Sequence, residues 1–290
     1  MKRILFAALA ASLVLVSCDR IEPEELIIPN DNGFRSDLYE VPEFDANTDN
    51  NTYILFEEFT GHLCSNCPGA AVTAQALAEN SRVILSGVHA GFLAQPDADH
   101  PADYTTEAGD EWWLQMTGSF LPCARFNRVD QEGDWYGAGE WPDQLDALLS
   151  ATSGPCDARL QIQYEWAEEN SHLNVHVESE FVNAMAGDYR MELSILESGI
   201  VSPQSNNSLN GNPAYPSPTA YEYEHEHVFR GNMNGTNGQQ VASDPEAGFK
   251  AVNSYTIPWP SDWVMDDAEL IAVITEGTTG RIINVAYVKM

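Results

Sequence analysis

Tyr53-Ile54-Leu55-Phe56-Glu57-Glu58-Phe59-Thr60-Gly61-His62-Leu63-Cys64-Ser65-Asn66-Cys67-Pro68 is the stretch from which the fold can be read. Its first four residues form a near-continuous apolar run, the pattern of a strand buried on both faces of a sheet. A short turn leads to the C-x-x-C motif. An Ala-rich segment from Ala70 to Asn80 follows, a strong helix former with Val72, Ala76 and Leu77 at core-facing spacing. Val83-Ile84-Leu85 is a second apolar run. Strand, C-x-x-C, helix, strand in that order predicts two parallel neighbours joined by a crossover. The order also sets Cys64 at the start of a helix, where unpaired N–H groups and the helix dipole favour a thiolate.

In an exported chain, a C-x-x-C between strand and helix points to redox chemistry. Zinc would need two more ligands at a recognisable spacing, and there is no second C-x-x-C; His62, His89 and Cys123 would have to fold together to supply them. No metal and no cofactor is therefore expected. Further along, a helix is predicted around Ala108 to Met116, then Leu121-Pro122, a strand from Cys123 to Asn127, and a last helix over Trp141 to Ala151 with Leu145, Leu148 and Leu149 on one face. A thioredoxin-like α/β domain places a proline, usually cis, beside the C-x-x-C at the start of a later strand, and Pro122 occupies that position. The domain is expected over 52–155. Glu58 stands six residues before Cys64, where such domains carry a buried acid. Burial would raise its pKa and suit it to act as general base for Cys67; the alternative is a carboxylate at the sheet edge with no catalytic task. Cys64 would be the attacking thiol and Cys67 the resolving one.

At the N-terminus, Lys2 and Arg3 precede an apolar run from Ile4 to Val16, then Ser17 and Cys18. The run falls short of the roughly 20 apolar residues that cross a bilayer, so 1–18 reads as a secretory signal. Leu15-Val16-Ser17-Cys18 fits a lipobox, with Cys18 acylated and the chain tethered to a membrane through that lipid. Residues 19–51, rich in Asp, Glu, Asn and Pro, read as a flexible acidic tether. Acidic residues number 44 against 13 Lys and Arg, for a formal net charge of −31. This balance argues against nucleic acid or anionic membrane surfaces as partners, because their phosphates would be repelled.

After Gly154-Pro155 the pattern changes to alternating strands at Leu160–Tyr164, Leu173–Val177, Met191–Ile195, His225–Phe229, Val252–Ile257, Leu270–Ile274 and Ile282–Val288. About seven strands suit an all-β immunoglobulin-like sandwich over 156–290. Val201 to Glu222 reads as a long exposed loop in which Tyr215 and Tyr221 could grip a sugar or peptide. His225 and His227 alternate on a predicted strand and so would share a face, more consistent with bonding to neighbouring backbone or acids than with a metal.

Glu57-Glu58-Phe59-Thr60-Gly61, Cys64, Cys67-Pro68, Pro122 with Asn127-Arg128, and the later His225, His227 and Arg230 resemble the 28-kilodalton outer-membrane-protein family of the Bacteroidota. The resemblance implies an outer-membrane lipoprotein, periplasmic or surface-exposed, with a thioredoxin-like domain, a largely unassigned activity and suggested roles in adhesion or binding. Leu63 in place of the usual tryptophan, and Ser-Asn in place of Gly-Pro within the motif, argue against strong general reductase activity. Once Cys18 is acylated four cysteines remain. Cys64 with Cys67 and Cys123 with Cys156 is one possible pairing; a third redox thiol at Cys123 is the alternative. Two functions stay open: thiol-disulfide exchange with protein thiols or disulfides in the envelope, or non-catalytic binding of a protein or glycan with Cys64–Cys67 as a structural clip.

Overall fold

The computed structural model describes residues 34, 36, 39–116, 120–129, 135–167, 172–209 and 212–290. The signal segment, Cys18 and the tether up to residue 33 lie outside the described residues. The first half is built from β1 (Ile54–Thr60), α1 (Cys67–Ala78), β2 (Val83–His89), α2 (Glu107–Leu114), β3 (Cys123–Phe126), β4 (Tyr136–Gly137) and α3 (Trp141–Ala151). Here β1 runs parallel to β2 and antiparallel to β3, the crossover between β1 and β2 being α1. Pro68 in the first turn of α1 presets its backbone, so the helix opens at Cys67, and Cys64, expected at the helix start, lies three residues before it in the preceding turn.

The second half contributes β5 (Ala158–Ala167), β6 (His172–Phe181), β7 (Asp188–Glu197), β8 (Ile200–Ser205), β9 (Thr219–His225), β10 (Val228–Asn232), β11 (Gln239–Ser243), β12 (Phe249–Pro258), β13 (Ala268–Glu276) and β14 (Ile282–Lys289). The fold is thus mainly β. One sheet runs β14-β13-β7-β10-β2-β1-β3-β4 with β11 beside β7, a second runs β12-β6-β5, and β8 pairs with β9. The β12-β6-β5 sheet packs on β7, β13 and β14 through Leu173, Val175, Phe181, Leu193, Ile195, Tyr255, Leu270 and Ala272, a face-to-face sandwich.

The boundary expected at residue 155 does not divide the hydrogen-bonded structure. Strands from both halves share the long sheet, joined where Val228 of β10 meets Gly87 of β2 and the Gly87 amide donates to the His227 carbonyl at 2.8 Å. A side chain at residue 87 would press on that carbonyl at 3.3 Å, so glycine suits the joint. Behind it, Phe59, Val88 and Trp112 share one buried cluster with Leu196, Phe229, Ile271 and Val285. Local periodicity identifies strands but cannot report which of them become neighbours, and here the partners of β2 lie far along the chain.

Two further expectations change. Residues 43–50 are not free tether: Gln163 and Gln161 donate to the carbonyls of Glu43 and Asp45, Asn47 donates to the Leu160 carbonyl, and Arg159 donates to the Asp49 carbonyl at 2.7 Å. Backbone carbonyls, which composition does not reveal, hold this strap against β5. The stretch from Val201 to Glu222 is not simply a loop either, because it contains most of β8 and of β9, an antiparallel arm whose register shifts between Ser202 and Gln204, around Pro203. Proline breaks the alternation there and hides the strand.

The two halves are also tied by charge. Glu57, 1% exposed, accepts from Arg125 Nε at 2.6 Å and Arg128 Nη2 at 2.8 Å, and Arg128 Nη1 reaches Glu192 of β7 at 2.8 Å. Trp112 lies under both guanidinium groups, 5.1 Å and 4.4 Å from ring centre to the carbons. Burial pushes the Glu57 carboxyl up, but Arg125 and Arg128 outweigh it and hold it down at about 2. Arg128 is aimed by two successive left-handed residues, Asn127 (φ 49°) and Arg128 (φ 48°). Asn127 is tolerant of that region, and its side chain accepts from the Leu55 amide at 2.7 Å.

Removing the charge at Glu57 leaves two buried guanidinium groups without their shared anion. Glu57→Gln is expected to cost roughly 3–5 kcal/mol. Urea unfolding of the full chain measures it, and a loss below about 1 kcal/mol would show that the cluster is not a structural tie.

Candidate functional site

Strand β1 sends alternate side chains to opposite faces of the sheet. Glu57 and Phe59 point to the arginine cluster and the Trp112 core, whereas Glu58 points to the face covered by α1. Immediately after β1, Cys64 and Cys67 form a disulfide, and both are buried, 3% and 2% exposed. Leu121-Pro122 is a cis peptide, and Pro122 leads directly into β3, whose Cys123 pairs with Phe59.

Glu58 is 4% exposed, and its Oε1 has no hydrogen-bond partner. Desolvation raises its pKa to about 8, with no cation to oppose it. It lines a small cavity together with Cys67, His89, Tyr223 and His225. Adjacent carboxyls in one sequence thus carry opposite shifts, because Glu57 faces two arginines and Glu58 faces none.

The C-x-x-C loop is covered by the β8–β9 arm. The Ser205 amide donates to the His62 carbonyl at 2.8 Å, and the Asn207 amide donates to the Ser65 carbonyl at 2.9 Å. Gln204 Nε2 donates to the Cys64 carbonyl at 3.0 Å and the Gly61 carbonyl at 3.3 Å. The Gly69 amide donates to Ser208 Oγ at 2.8 Å. A Cβ at residue 69 would meet the Ser208 Cβ at 2.9 Å, so the arm can close this tightly only over a glycine.

Beside the disulfide lies a buried group of rings. His62 stacks on His100 at 5.7 Å, while Tyr104 approaches His89 at 5.0 Å and His225 at 5.3 Å. His225 Nε2 and the Tyr104 hydroxyl both meet Ser202 Oγ, at 3.0 Å and 2.9 Å. Burial, reinforced by neighbouring imidazoles, holds His225 down at about 4 and His89 well below its ordinary value, so both are neutral. Among the described residues, no group of three His, Cys, Asp or Glu is arranged to hold a metal ion.

Several residues fall elsewhere than expected. His225 ends β9 and is buried. His227 follows it with φ 53° and lies 3.5 Å from Glu269, so the two do not share a strand face. The left-handed residue ends the alternation on which that expectation rested. Cys123 and Cys156 are unpaired. Cys123 shares the sheet face of Phe59, opposite Glu58, and sits 3.8 Å from the Met116 sulfur; burial pushes its thiol up to about 12. The Cys123–Cys156 pair is therefore not formed. Tyr215 packs on Tyr223 at 5.0 Å, whereas Tyr221 is exposed. Gln204, Ser205, Ser208, His100 and Tyr104 gave no sign in the sequence, because nothing local marks a residue that acts across more than a hundred positions.

The family model of outer membrane protein Omp28 matches residues 112–290, which leaves the C-x-x-C segment outside the match. No curated protein matches the sequence. HBP35 of Porphyromonas gingivalis is similar in structure, with a TM-score of 0.61 at 13% identity over 83% of this chain and 76% of that one. A protein from Agrobacterium tumefaciens reaches 0.49 at 12% identity, over 83% of this chain and 96% of its own. A domain of the outer membrane lipoprotein Omp28 from Porphyromonas gingivalis reaches 0.30 at 15%, over 47% of this chain and 88% of that one. The likeness to HBP35 is one of fold. No helix among the described residues is long and apolar enough to cross a membrane. With more than half of its length matched by the family model, the chain belongs to the outer membrane protein Omp28 family.

Proposed function

We propose that this lipoprotein is a thiol-disulfide exchange protein of thioredoxin type, held at the membrane by lipid on Cys18 and opened to substrate by movement of the β8–β9 arm. The observation that carries the reading is Glu58, a buried carboxyl without a cation, beside Cys67 in a shared cavity. A structural disulfide needs no such acid, and burying one costs stability. In exchange, an incoming thiolate would attack Cys64, Cys67 would leave, and protonated Glu58 would supply its proton. Protein thiols or disulfides of the envelope are the substrate class.

One observation favours the second reading, a structural clip in a non-catalytic binding protein: both cysteines are buried under the arm. The seal rests on five hydrogen bonds of about 0.5–1.5 kcal/mol each. Opening at a cost of roughly 3–5 kcal/mol would leave an open fraction on the order of 10⁻² to 10⁻⁴, slow but sufficient for exchange.

Gln204→Ala removes the contacts to the Cys64 and Gly61 carbonyls. Reduction of the full chain by dithiothreitol, followed by alkylation and mass measurement, is expected to become about 10-fold faster. Wild type is expected to accelerate reduction of a peptide disulfide and Cys64→Ser to be inert. A reduction potential below about −300 mV with no difference between the two would establish the structural clip instead.

Glu58 also makes stability depend on pH with a definite sign. Its folded pKa lies above the unfolded one, so the native state binds the extra proton, and stability falls as pH rises from about 4.5 to about 8. Glu58→Gln abolishes this loss and is expected to gain on wild type by roughly 3–5 kcal/mol across that window. Parallel urea titrations of the two proteins at pH 5 and pH 8 would reject a buried neutral Glu58 if the difference between them stayed constant.

A further inference from the structure

We propose that His89 is the residue through which Glu58 exchanges its proton, across the cavity the two share beside Cys67. The inference rests on the exchange reading above and adds a positioning residue to it. In the β1–β2 register, Glu58 lies opposite Gly87 and Thr60 opposite His89, so Glu58 and His89 stand on one face with no side chain at residue 87 between them. The cavity has a volume of about 30 Å³. That exceeds the roughly 10–15 Å³ a single water needs.

Glu58 Oε1 has no hydrogen-bond partner, and neither ring nitrogen of His89 makes a hydrogen bond of good geometry, the backbone of Gly87 being a weakly aligned polar neighbour. His89 is 3% exposed. Buried polar atoms without well-made hydrogen bonds are rare in folded proteins, and Glu58 and His89 bring such atoms to one cavity. A neutral imidazole carries one N–H and one lone pair, so it can give a proton from one nitrogen and take one at the other. Its surroundings keep it neutral. Tyr104 faces it from the segment before α2, His225 from β9, His62 from the loop after β1, and Arg230 of β10 adds a further positive charge. Tyr223 of β9 and Cys67 complete the wall next to Glu58.

The step balances with a dithiol as reductant. One donor thiolate attacks Cys64 Sγ, the Cys64–Cys67 bond breaks, and its electron pair passes to Cys67 Sγ. Cys67 takes the proton of the Glu58 carboxyl. The proton of the donor's second thiol is released to solvent; as His89 takes up a solvent proton at its bare ring nitrogen it passes the proton of its other nitrogen to the Glu58 carboxylate in the same step, so that no imidazolate forms. That second thiolate then displaces Cys64 from the mixed disulfide, and Cys64 leaves as a thiolate and is protonated from solvent. The donor ends as a disulfide, two electrons and two protons poorer, and the protein ends as a dithiol.

The test compares wild type, His89→Phe, His89→Gln, Glu58→Gln and the Glu58→Gln/His89→Phe double variant as full chains, with dithiothreitol reduction rates measured between pH 6 and pH 9. Both His89 variants are expected to slow at least about 10-fold at pH 7, the low end of what proton transfer contributes. The double variant should be no slower than Glu58→Gln, because one route is removed once. A structural role for His89 would be rescued by glutamine, which keeps the hydrogen-bonding capacity; His89→Gln also carries the test if His89→Phe fails to fold. The proposal is overturned if His89→Gln reacts at the wild-type rate with the wild-type pH profile while Glu58→Gln is slow. If Glu58→Gln itself reacts like wild type, the proton role of Glu58 falls and this proposal with it.

Discussion

Glu57 sits between two arginines in the interior, and the second of them, Arg128, reaches on to Glu192 of β7. Ion pairs at this depth are costly to assemble, because each charge gives up its water. What offsets the cost is geometry: Glu57 receives a fork from each guanidinium, and Trp112 stacks beneath both. A cluster with such strict requirements fixes where β3 ends, how the chain turns at Asn127 and Arg128, and how β7 lies relative to β1. Asn127 reinforces the same corner, accepting from the Leu55 amide with its side chain and from the Ile282 amide with its carbonyl. Elements from both ends of the chain therefore meet at one turn of two left-handed residues.

That fixed frame allows the neighbouring residue to be treated in the opposite way. Glu58 points through the sheet to the side where α1 and the disulfide lie, and no cation accompanies it. One carboxyl is held charged and the next held neutral, with a single peptide bond between them. Sheet alternation places them in different environments, and the surrounding charges settle their states. The β8–β9 arm completes the second environment by covering Cys64 and supplying Tyr223 and His225 to the cavity wall. A strand pair from the far part of the chain thereby covers a motif more than a hundred residues earlier.

Much of the first half was legible because its signals are local. The apolar run at Tyr53–Phe56, the Ala-rich helix and the second run at Val83–Leu85 each bury their own faces, and their order implies the crossover. The strands at Leu160, Leu173, Met191 and Leu270 declared themselves by alternation in the same way. Three features did not. Pro203 interrupts β8 and made the arm look like a loop. His227 with φ 53° breaks what reads as one strand from His225 to Phe229. The strap at 43–50 is held through its backbone carbonyls, which look alike in every sequence.

By itself, then, the sequence determined the β-α-β start, the cysteine pair after β1, the acid at Glu58 and the envelope destination, since each depends on residue type and short-range spacing. Only the tertiary structure decided that the two halves share a sheet, that Cys123 and Cys156 stay apart, that Glu57 and Glu58 take opposite charge states, and that an arm seals the disulfide. These depend on which distant segments come to lie within a few ångströms of each other. Such long-range packing is selected by the summed burial and pairing of the whole chain, and no short stretch of sequence records it.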